Sequence, residues 1–463
     1  MKKSKKNLVF WERIFRGFLY VLPLSLFFSY YPVIKIGASE NMNFEFSIAL
    51  FWLVGFDLVS FVSMILKRQF DLRKIVVKNW KWLLFPIFVT FSLFWTTNLV
   101  RGILTVGILW LIYFAVFSFF EFRDLLNAEF WRKFWRWFFG ASLFVCGWCV
   151  LQCVLDLVGV SRDCSLMCAG CVTEMFGFPH PNGFAIEPQF MGNLLLAPAI
   201  VSASMVLRSS RKHLIMMFFT FVATLFLTFS RGAIYAFIVA IIFLVVLEIV
   251  KTKKFRSLVV VAISGLAFLF TLNLQGIFAQ VSQTNDTYFS GVAKVLNHLS
   301  LGIIDIEVSG GGDADAIANE SDDAVFDGYV EESTTIRIEL TNAALEVFAQ
   351  NPRNVLFGVG IGGAGESLFL AGETDSPKEI VQNEYASLLL EVGIVGSMLF
   401  GFTTMMVIRK SMKSEQNSMI FALLVAYAIT LFFFSGLPNA LQIYLMPAIL
   451  LNYQTSLRKK LVS

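Results

Sequence analysis

The sequence predicts an all-α integral membrane protein with about twelve transmembrane helices and one large loop on the outer side. Apolar residues make up 57% of the 463 residues and charged residues only 15%, whereas soluble domains are about 45–50% apolar and about one quarter charged. The apolar residues also come in blocks of about 20, the number that crosses a hydrocarbon core of ~30 Å as a helix.

Eight of the predicted spans come from single apolar blocks, and the other four come from two longer blocks. The stretches 82–120 and 214–250 would each measure ~55 Å as one helix, nearly twice the thickness of the core. Basic segments flank both stretches on both sides, so each must cross an even number of times and forms a tight pair of helices. The single spans are predicted at residues 17–34, 47–66, 137–160, 187–207, 257–275, 384–408, 418–434 and 440–453.

The basic residues are distributed as this topology requires. Of the 37 Lys and Arg residues, 29 fall in segments that the twelve spans place on the inner side. Because cytoplasmic segments are enriched in Lys and Arg, both termini are predicted to be cytoplasmic. The first apolar block lacks a clear cleavage site and is interpreted as a retained span. The eight basic residues on the outer side are Lys35, Arg101, Arg162, Arg231, Lys294, Arg337, Arg353 and Lys378.

The predicted spans divide the chain into three parts. Spans 1–9 form a bundle at 1–275, a large outer loop covers 276–383, and spans 10–12 with a cytoplasmic tail cover 384–463. The loop carries 17 Asp and Glu residues against four Lys and Arg residues. Its part near 305–332 is predicted to be a flexible acidic insertion, with a calcium site as the less favoured alternative. A helical pattern of apolar residues follows at 334–349.

Three arginines on the outer side are candidates for ligand binding. Arg101 and Arg231 lie at the turns of the two tight helix pairs, and Arg337 opens the helix of the outer loop. A guanidinium near hydrocarbon is costly, so it extends to the lipid headgroups or pairs with an anion. For a single arginine, extension to headgroups is favoured. Three at the same face favour an anionic ligand, and a lipid pyrophosphate suits the bidentate geometry of arginine.

The connection before the sixth span contains two candidate general bases. It is rich in Pro and Gly and carries His180 and Glu187 at the membrane edge. A side chain there could accept a proton from a bound substrate. A re-entrant turn with interfacial polar residues explains the same pattern equally well.

Two carboxylates and six cysteines are assigned structural roles. Glu391 and Asp57 lie inside predicted spans, where a salt bridge or a helix-end hydrogen bond is favoured over a functional role. One group of cysteines shares a face of the fifth span and is predicted to pack in the core. The other lies in an outer loop, where a disulfide is favoured over an iron–sulfur site. The groups are Cys146, Cys149 and Cys153, and Cys164, Cys168 and Cys171.

The sequence contains no Walker loop, dinucleotide fingerprint, zinc-protease motif or serine-hydrolase motif. The energy for any reaction must therefore arrive with the substrate, or the protein transports rather than reacts. We expect no cofactor, no metal and no nucleic-acid partner.

Six short motifs, taken in their order along the chain, resemble the O-antigen ligase and O-antigen polymerase family. The first contains the Ser-Arg-Gly signature at the end of a span, and the others match the outer loop and the span that follows it. Each is short, and their order in a chain with a large late outer loop makes the resemblance more specific. They are Thr228–Ala233, Thr335–Leu340, Phe348–Pro352, Leu356–Gly362, Gln382–Leu388 and Glu391–Gly396.

The resemblance implies a GT-C-like membrane glycosyltransferase of the plasma (inner) membrane. Family members transfer glycan from a polyprenyl pyrophosphate to a hydroxyl of an acceptor glycan or glycolipid, without nucleotide sugar or metal. By position, Arg231 and Arg337 would bind the pyrophosphate, and Arg101 is a third candidate. Membrane lipid, the lipid-linked glycan and the acceptor are the expected partners.

The sequence departs from the family pattern at one position of the last outer motif. Gln382 stands before Asn383 where the ligases commonly have a His, and Gln cannot serve as a base. His180 or Glu187 could take that role, or the chain is a polymerase that works without it. A transporter or flippase of lipid-linked oligosaccharide is the alternative from another functional class, although the two halves show no internal repeat.

Overall fold

A computed structural model of the chain is mostly helical. It describes residues 2–29, 31–39, 42–67, 72–158, 174–175, 178–185, 187–209, 211–252, 257–281, 287–300, 320–412, 417–436 and 440–462. The helices are α1 (Lys2–Leu26), α2 (Ile48–Leu66), α3 (Leu72–Phe91), α4 (Leu99–Glu121), α5 (Ala128–Leu157), α6 (Pro188–Arg208), α7 (Lys212–Leu227), α8 (Arg231–Thr252), α9 (Leu258–Val281), α10 (Tyr288–Ser300), α11 (Glu320–Ala349), α12 (Pro352–Phe357), α13 (Ala364–Leu370), α14 (Glu384–Met412), α15 (Asn417–Thr430) and α16 (Leu441–Val462). The strands are β1 (Pro32–Ser39), β2 (Met42–Ser47), β3 (Glu174–Met175) and β4 (Phe178–Pro179).

The helices define a multi-pass membrane protein. In the part of the chain that the structure describes, seven helices are long and apolar enough to cross a membrane, and α7 and α15 are shorter apolar helices. Each of the twelve predicted spans overlaps a helix, namely one of α1–α9 or α14–α16. Helices α1, α3 and α16 are not among the seven, so the count of twelve stays a prediction.

Both predicted helix pairs are confirmed. Helices α3 and α4 are joined by a short 3₁₀ turn and a bend, and the Oδ1 of Asn98 accepts a hydrogen bond of 3.1 Å from the N–H of Arg101 at the start of α4. Such a side-chain cap satisfies one of the free N–H groups of the first turn. Helices α7 and α8 are joined by three residues, 228–230.

Two predicted boundaries are wrong. The first helix ends at Leu26 rather than at residue 34, and β1 and β2 follow as an antiparallel hairpin. The alternation of apolar and polar residues in 42–47 suits a strand with one polar face. The helix of the outer loop begins at Glu320, earlier than predicted, and ends at Ala349 as predicted. The acidic insertion before residue 320 lies outside the described residues.

The chain forms two compact units. Unit 1 comprises residues 1–142 and 340–463, and unit 2 comprises residues 143–339. Each unit is described by itself below.

In unit 1, a glycine-rich loop after α12 packs against backbone on both sides. Gly360 has a φ of +94°, and a Cβ on it would lie 2.3 Å from the Cα of Thr96. Gly393 has a φ of +65° inside α14, and a Cβ on it would lie 2.5 Å from the backbone of Leu356. The N–H of Gly360 donates to the carbonyl of Glu391 at this unwound point, at 2.9 Å. Only glycine allows both the left-handed conformation and such an approach.

This packing predicts different effects for two glycine substitutions. Gly360 and Gly372 both have positive φ, but only Gly360 has backbone where a Cβ would go; Gly372 has none within 4 Å. Both Ala variants incur the left-handed cost of ~1 kcal/mol, and G360A incurs an overpacking cost on the order of 1–3 kcal/mol in addition. We expect thermal unfolding in detergent to show a clearly larger drop in midpoint for G360A. Equal drops would contradict the packing.

Candidate functional site

The site in unit 2 is built on the turn between α7 and α8. The hydroxyl of Thr228 donates to the carbonyl of Leu225 at 2.7 Å. Ser230 directly precedes α8, and its carbonyl accepts from the N–H of Ile234 at 2.9 Å. Arg231 is the first residue of α8 and is half-buried. The sequence-predicted arginine therefore lies at a helix N-terminus, where the backbone N–H groups favour an anion.

Helix α6 packs directly on this turn. A Cβ on Gly192 would lie 2.8 Å from the Cβ of Ala233, 2.9 Å from the Oγ1 of Thr228 and 3.0 Å from the Cβ of Ser230. Glycine at this point thus allows the first turn of α6 to lie against the start of α8. The N-terminal part of α6 is thereby packed on the turn that carries Arg231.

The N-terminus of α6 also meets the second arginine. A guanidinium N–H of Arg337 on α11 donates to the Oε1 of Gln189 at 2.9 Å. Gln189 lies three residues before Gly192, which is ~4.5 Å along a helix. The guanidinium of Arg337 is therefore held at the start of α6, the helix that packs on the turn before Arg231.

Glu187 lies directly before α6 and is the carboxylate of this site. Pro188 takes the first helical position, where its missing N–H costs nothing. The Glu187 side chain is exposed, yet desolvation by the surrounding protein raises its pKa, and the nearby positive charge of Arg337 partly offsets this by lowering it. The carboxylate is thus a stronger base than one in water.

The loop that carries His180 is held by side chains of α5. The amide of Gln152 on α5 donates to the Oδ1 of Asn182 at 2.9 Å and accepts from the N–H of Gly183 at 2.9 Å. The ring of Phe184 stacks on Trp148, with centroids 5.5 Å apart. His180 itself is buried, with 8% of its surface exposed.

A second histidine, His298 on α10, reaches the same turn. It is buried, interacts electrostatically with Arg231 and His180, and is hydrogen-bonded to the backbone of Phe229. Burial, followed by the charge of Arg231, lowers the pKa of His298 to about 3. Unit 2 therefore contains four predicted site residues in two groups. Glu187 interacts with Arg337, and His298 interacts with both His180 and Arg231.

The other three predicted site residues belong to unit 1. The Oδ1 of Asn383 accepts from the N–H groups of Tyr385 and Ala386, at 3.0 and 3.3 Å, and so caps α14. Gln382 precedes this cap and is half-buried. Arg101 lies in the first turn of α4.

Glu391 in α14 is confirmed as a structural carboxylate. It accepts backbone hydrogen bonds from Gly362 and Ala364 of the glycine-rich loop, and it interacts electrostatically with Arg101. The loop, the start of α4 and the unwound point of α14 are thus joined through one side chain.

The predicted structural partner of Asp57 is not found. Its side chain is 5% exposed, and neither carboxylate oxygen has a hydrogen-bond partner in the described part of the chain. It lines a cavity of about 1840 Å³ among helices of unit 1, with mainly apolar and aromatic walls. The sequence indicated the position of this carboxylate in a span but not its surroundings.

The structure tests one of the two cysteine predictions. The three cysteines of α5 are buried, as core packing requires. Cys164, Cys168 and Cys171 lie outside the described residues.

The candidate site of unit 2 thus contains Arg231, Arg337 and Glu187 near the starts of helices in a multi-pass helical membrane protein. These groups suit an anionic substrate and a proton acceptor. Residues 216–401 match the family model of O-antigen ligase. The resemblance seen in the sequence is therefore confirmed over this segment, which is similar to the O-antigen ligase family. No curated protein matches the chain. The matched segment includes Arg231, Arg337 and the last outer motif, but not His180 or Glu187.

Sequence reasoning missed three residues of this site. Gln152 and Gln189 hold the His180 loop and Arg337, and His298 holds the turn before Arg231. His298 is one of only three histidines in the chain, and this rarity was the available signal. The two glutamines act through contacts between residues far apart in the sequence, which no local motif records.

The support beneath the His180 loop predicts a change in thiol reactivity. Cys149 is buried, and its Sγ lies 3.4 Å from where a Cβ of Gly183 would be. Gln152→Leu removes the buried hydrogen bonds of the loop, at about 1–2 kcal/mol, so the loop opens more often. We expect Cys149 to be alkylated about tenfold faster, as measured by site-resolved mass spectrometry. The control Leu151→Ala changes an exposed side chain on the same helix, and equal labelling of the two variants would contradict the prediction.

Proposed function

We propose that the chain transfers a glycan from a polyprenyl pyrophosphate to a sugar hydroxyl at the outer face of the plasma membrane. It acts as a polymerase or ligase of an O-antigen or exopolysaccharide, with both termini in the cytoplasm. The observation that carries the proposal is that Glu187 and Arg337 interact at the start of α6, and that Gly192 of the same helix packs on the turn that carries Arg231.

The two arginines would stabilise the leaving group. In the transfer, the bond between the anomeric carbon and the pyrophosphate oxygen breaks, and the pyrophosphate leaves with both electrons of that bond. Fixed cations aimed at this developing charge lower the barrier, most strongly where water is excluded. The N-termini of α6 and α8 add partial positive charge at the same place.

Glu187 is the base that the geometry favours. The acceptor hydroxyl must lose a proton as its oxygen bonds to the anomeric carbon, and a carboxylate with a raised pKa accepts it more readily. His180 is buried, and Gln382 carries no basic group, so neither competes on the same terms. Arg337 beside Glu187 would hold the carboxylate and the pyrophosphate in one arrangement.

The arginine assignment predicts the loss of transfer in two single variants. Arg231→Ala and Arg337→Ala should each lower the transfer rate by about 100-fold or more, since each removes charge stabilisation made in the transition state. Arg→Lys should restore little, because an ammonium cannot bind the diphosphate in the bidentate manner. The assay measures glycan transfer by the purified protein in liposomes that contain a lipid-linked repeat unit.

The control for this experiment is Arg353→Ala, which removes an exposed arginine on α12. It should transfer at the wild-type rate. Wild-type rates in both Arg231→Ala and Arg337→Ala would remove the proposal.

The base assignment predicts the pH dependence of the rate. Glu187 must be ionised to accept a proton, so the rate should fall as the pH falls through its raised pKa. Glu187→Gln should be about 100-fold slower near neutral pH and should lose this acid limb. The matched control is Glu339→Gln, an exposed glutamate on α11. An unchanged acid limb in Glu187→Gln would assign the base to another residue.

A further inference from the structure

We propose that His298 is a positioning residue that fixes Arg231 through the turn between α7 and α8. The proposal rests on the proposed function, because it concerns the arginine that would meet the pyrophosphate. His298 lies outside the motifs that indicated the family, and its role follows from its contacts.

The turn before Arg231 has an unfavourable backbone conformation. Phe229 has a φ of +48°, and it is the one non-glycine residue with positive φ in the described part of the chain. In this region the Cβ crowds the following carbonyl, so an aromatic residue adopts it only when its surroundings enforce it. The direction in which Arg231 leaves the turn depends on this conformation, since only Ser230 separates the two residues.

His298 supplies part of that enforcement. Its ring N–H donates to the backbone carbonyl of Phe229, and the imidazole is buried with 3% of its surface exposed. The Phe229 side chain packs in a cluster with Leu272 on α9 and Val295 on α10, one turn before His298. Both the backbone and the side chain of the strained residue are therefore held by α10 and its neighbour.

Helix α10 is itself fastened at both ends. At its start, the hydroxyl of Tyr288 donates to the Oδ1 of Asn273 on α9 at 2.7 Å. At its end, the hydroxyl of Tyr235 on α8 donates to the carbonyl of Leu299. Tyr235 lies one turn after Arg231, so α10 contacts both the strained turn and the start of α8 that follows it. A helix held in this way can fix the position of the histidine that it carries.

The chemistry of the imidazole suits positioning rather than proton transfer. Burial and the charge of Arg231 keep the ring neutral at physiological pH, so it donates one hydrogen bond without adding a charge. A buried imidazole whose pKa is lowered to about 3 binds a proton weakly, so it is a poor general base near neutral pH. Arg231 thus remains the cation of this turn, and His298 acts on the reaction through it.

The test uses the full-length protein reconstituted in liposomes. His298→Leu removes the donor, and His298→Gln keeps an amide N–H of similar reach. We expect His298→Leu to lower kcat by about 100-fold, the size of loss that a displacement of ~1 Å produces, and to raise KM because the pyrophosphate is bound less tightly. His298→Gln should regain most of the rate. Asn297→Leu, at the adjacent position of α10, should transfer at close to the wild-type rate.

A double-mutant cycle separates positioning from general support of the fold. If His298 acts through Arg231, His298→Leu should have little further effect in the Arg231→Ala background. A full additional loss in that background, or a wild-type rate in His298→Leu, would overturn the proposal. Failure of His298→Gln to regain activity would also count against it.

A binding measurement distinguishes this proposal from the proposed function. Geranylgeranyl pyrophosphate is the probe, and wild-type protein should bind it at least about tenfold more tightly than His298→Leu does. If the wild type binds the probe and transfers glycan while His298→Leu equals it in both, the positioning role alone fails. If the wild type neither binds nor transfers, the proposed function fails.

Discussion

The charge of a guanidinium beside hydrocarbon is the constraint on which unit 2 depends. Arg231 and Arg337 come from segments more than 100 residues apart. Gly192 packs α6 on the turn that carries Arg231, and the side-chain amide of Gln189 on the same helix holds Arg337. A polar group at the membrane edge without such support would extend to the headgroups. In unit 2 both arginines instead lie on helices, and in the proposed reaction cations held on rigid elements would stabilise the charge that develops.

Close backbone approach through glycine is the second theme of the fold, and each unit uses it separately. In unit 2, Gly192 allows α6 to lie on the turn that carries Arg231. In unit 1, Gly360 and Gly393 allow the glycine-rich loop to cross the start of α4 and the unwound point of α14. Glu391 then joins these backbone segments through hydrogen bonds. Polar backbone inside a membrane protein is tolerated where it is satisfied in this way.

Much of the helical architecture could be predicted from the sequence, because the length of an apolar block is set by the thickness of the bilayer. The tight pairs α3–α4 and α7–α8 followed from the same length argument together with the charge distribution. The β1–β2 hairpin could not be predicted in this way, since it lies next to an apolar block that reads as one continuous span. The lack of a hydrogen-bond partner for Asp57 among the described residues could not be predicted either, because it depends on the side chains of other helices.

The site was predictable where its residues carry charge at an unusual depth. Arg231, Arg337 and Glu187 were identified in that way, and all three lie in unit 2. Gln189, Gln152 and His298 did not, because their roles arise from contacts across the sequence. Gln382 and Asn383 belong to unit 1, whereas these residues belong to unit 2. The order of the motifs along the sequence does not indicate this division.

The proposed reaction breaks the bond between the glycan and its pyrophosphate carrier and forms a glycosidic bond to the acceptor. The most direct test is analysis of the lipid product after the purified protein acts on a lipid-linked repeat unit in liposomes, by mass spectrometry. The account predicts that the polyprenyl pyrophosphate is released without its glycan while the acceptor gains one repeat unit. Recovery of the intact donor on the opposite leaflet, with no bond broken, would contradict the account and indicate a transporter.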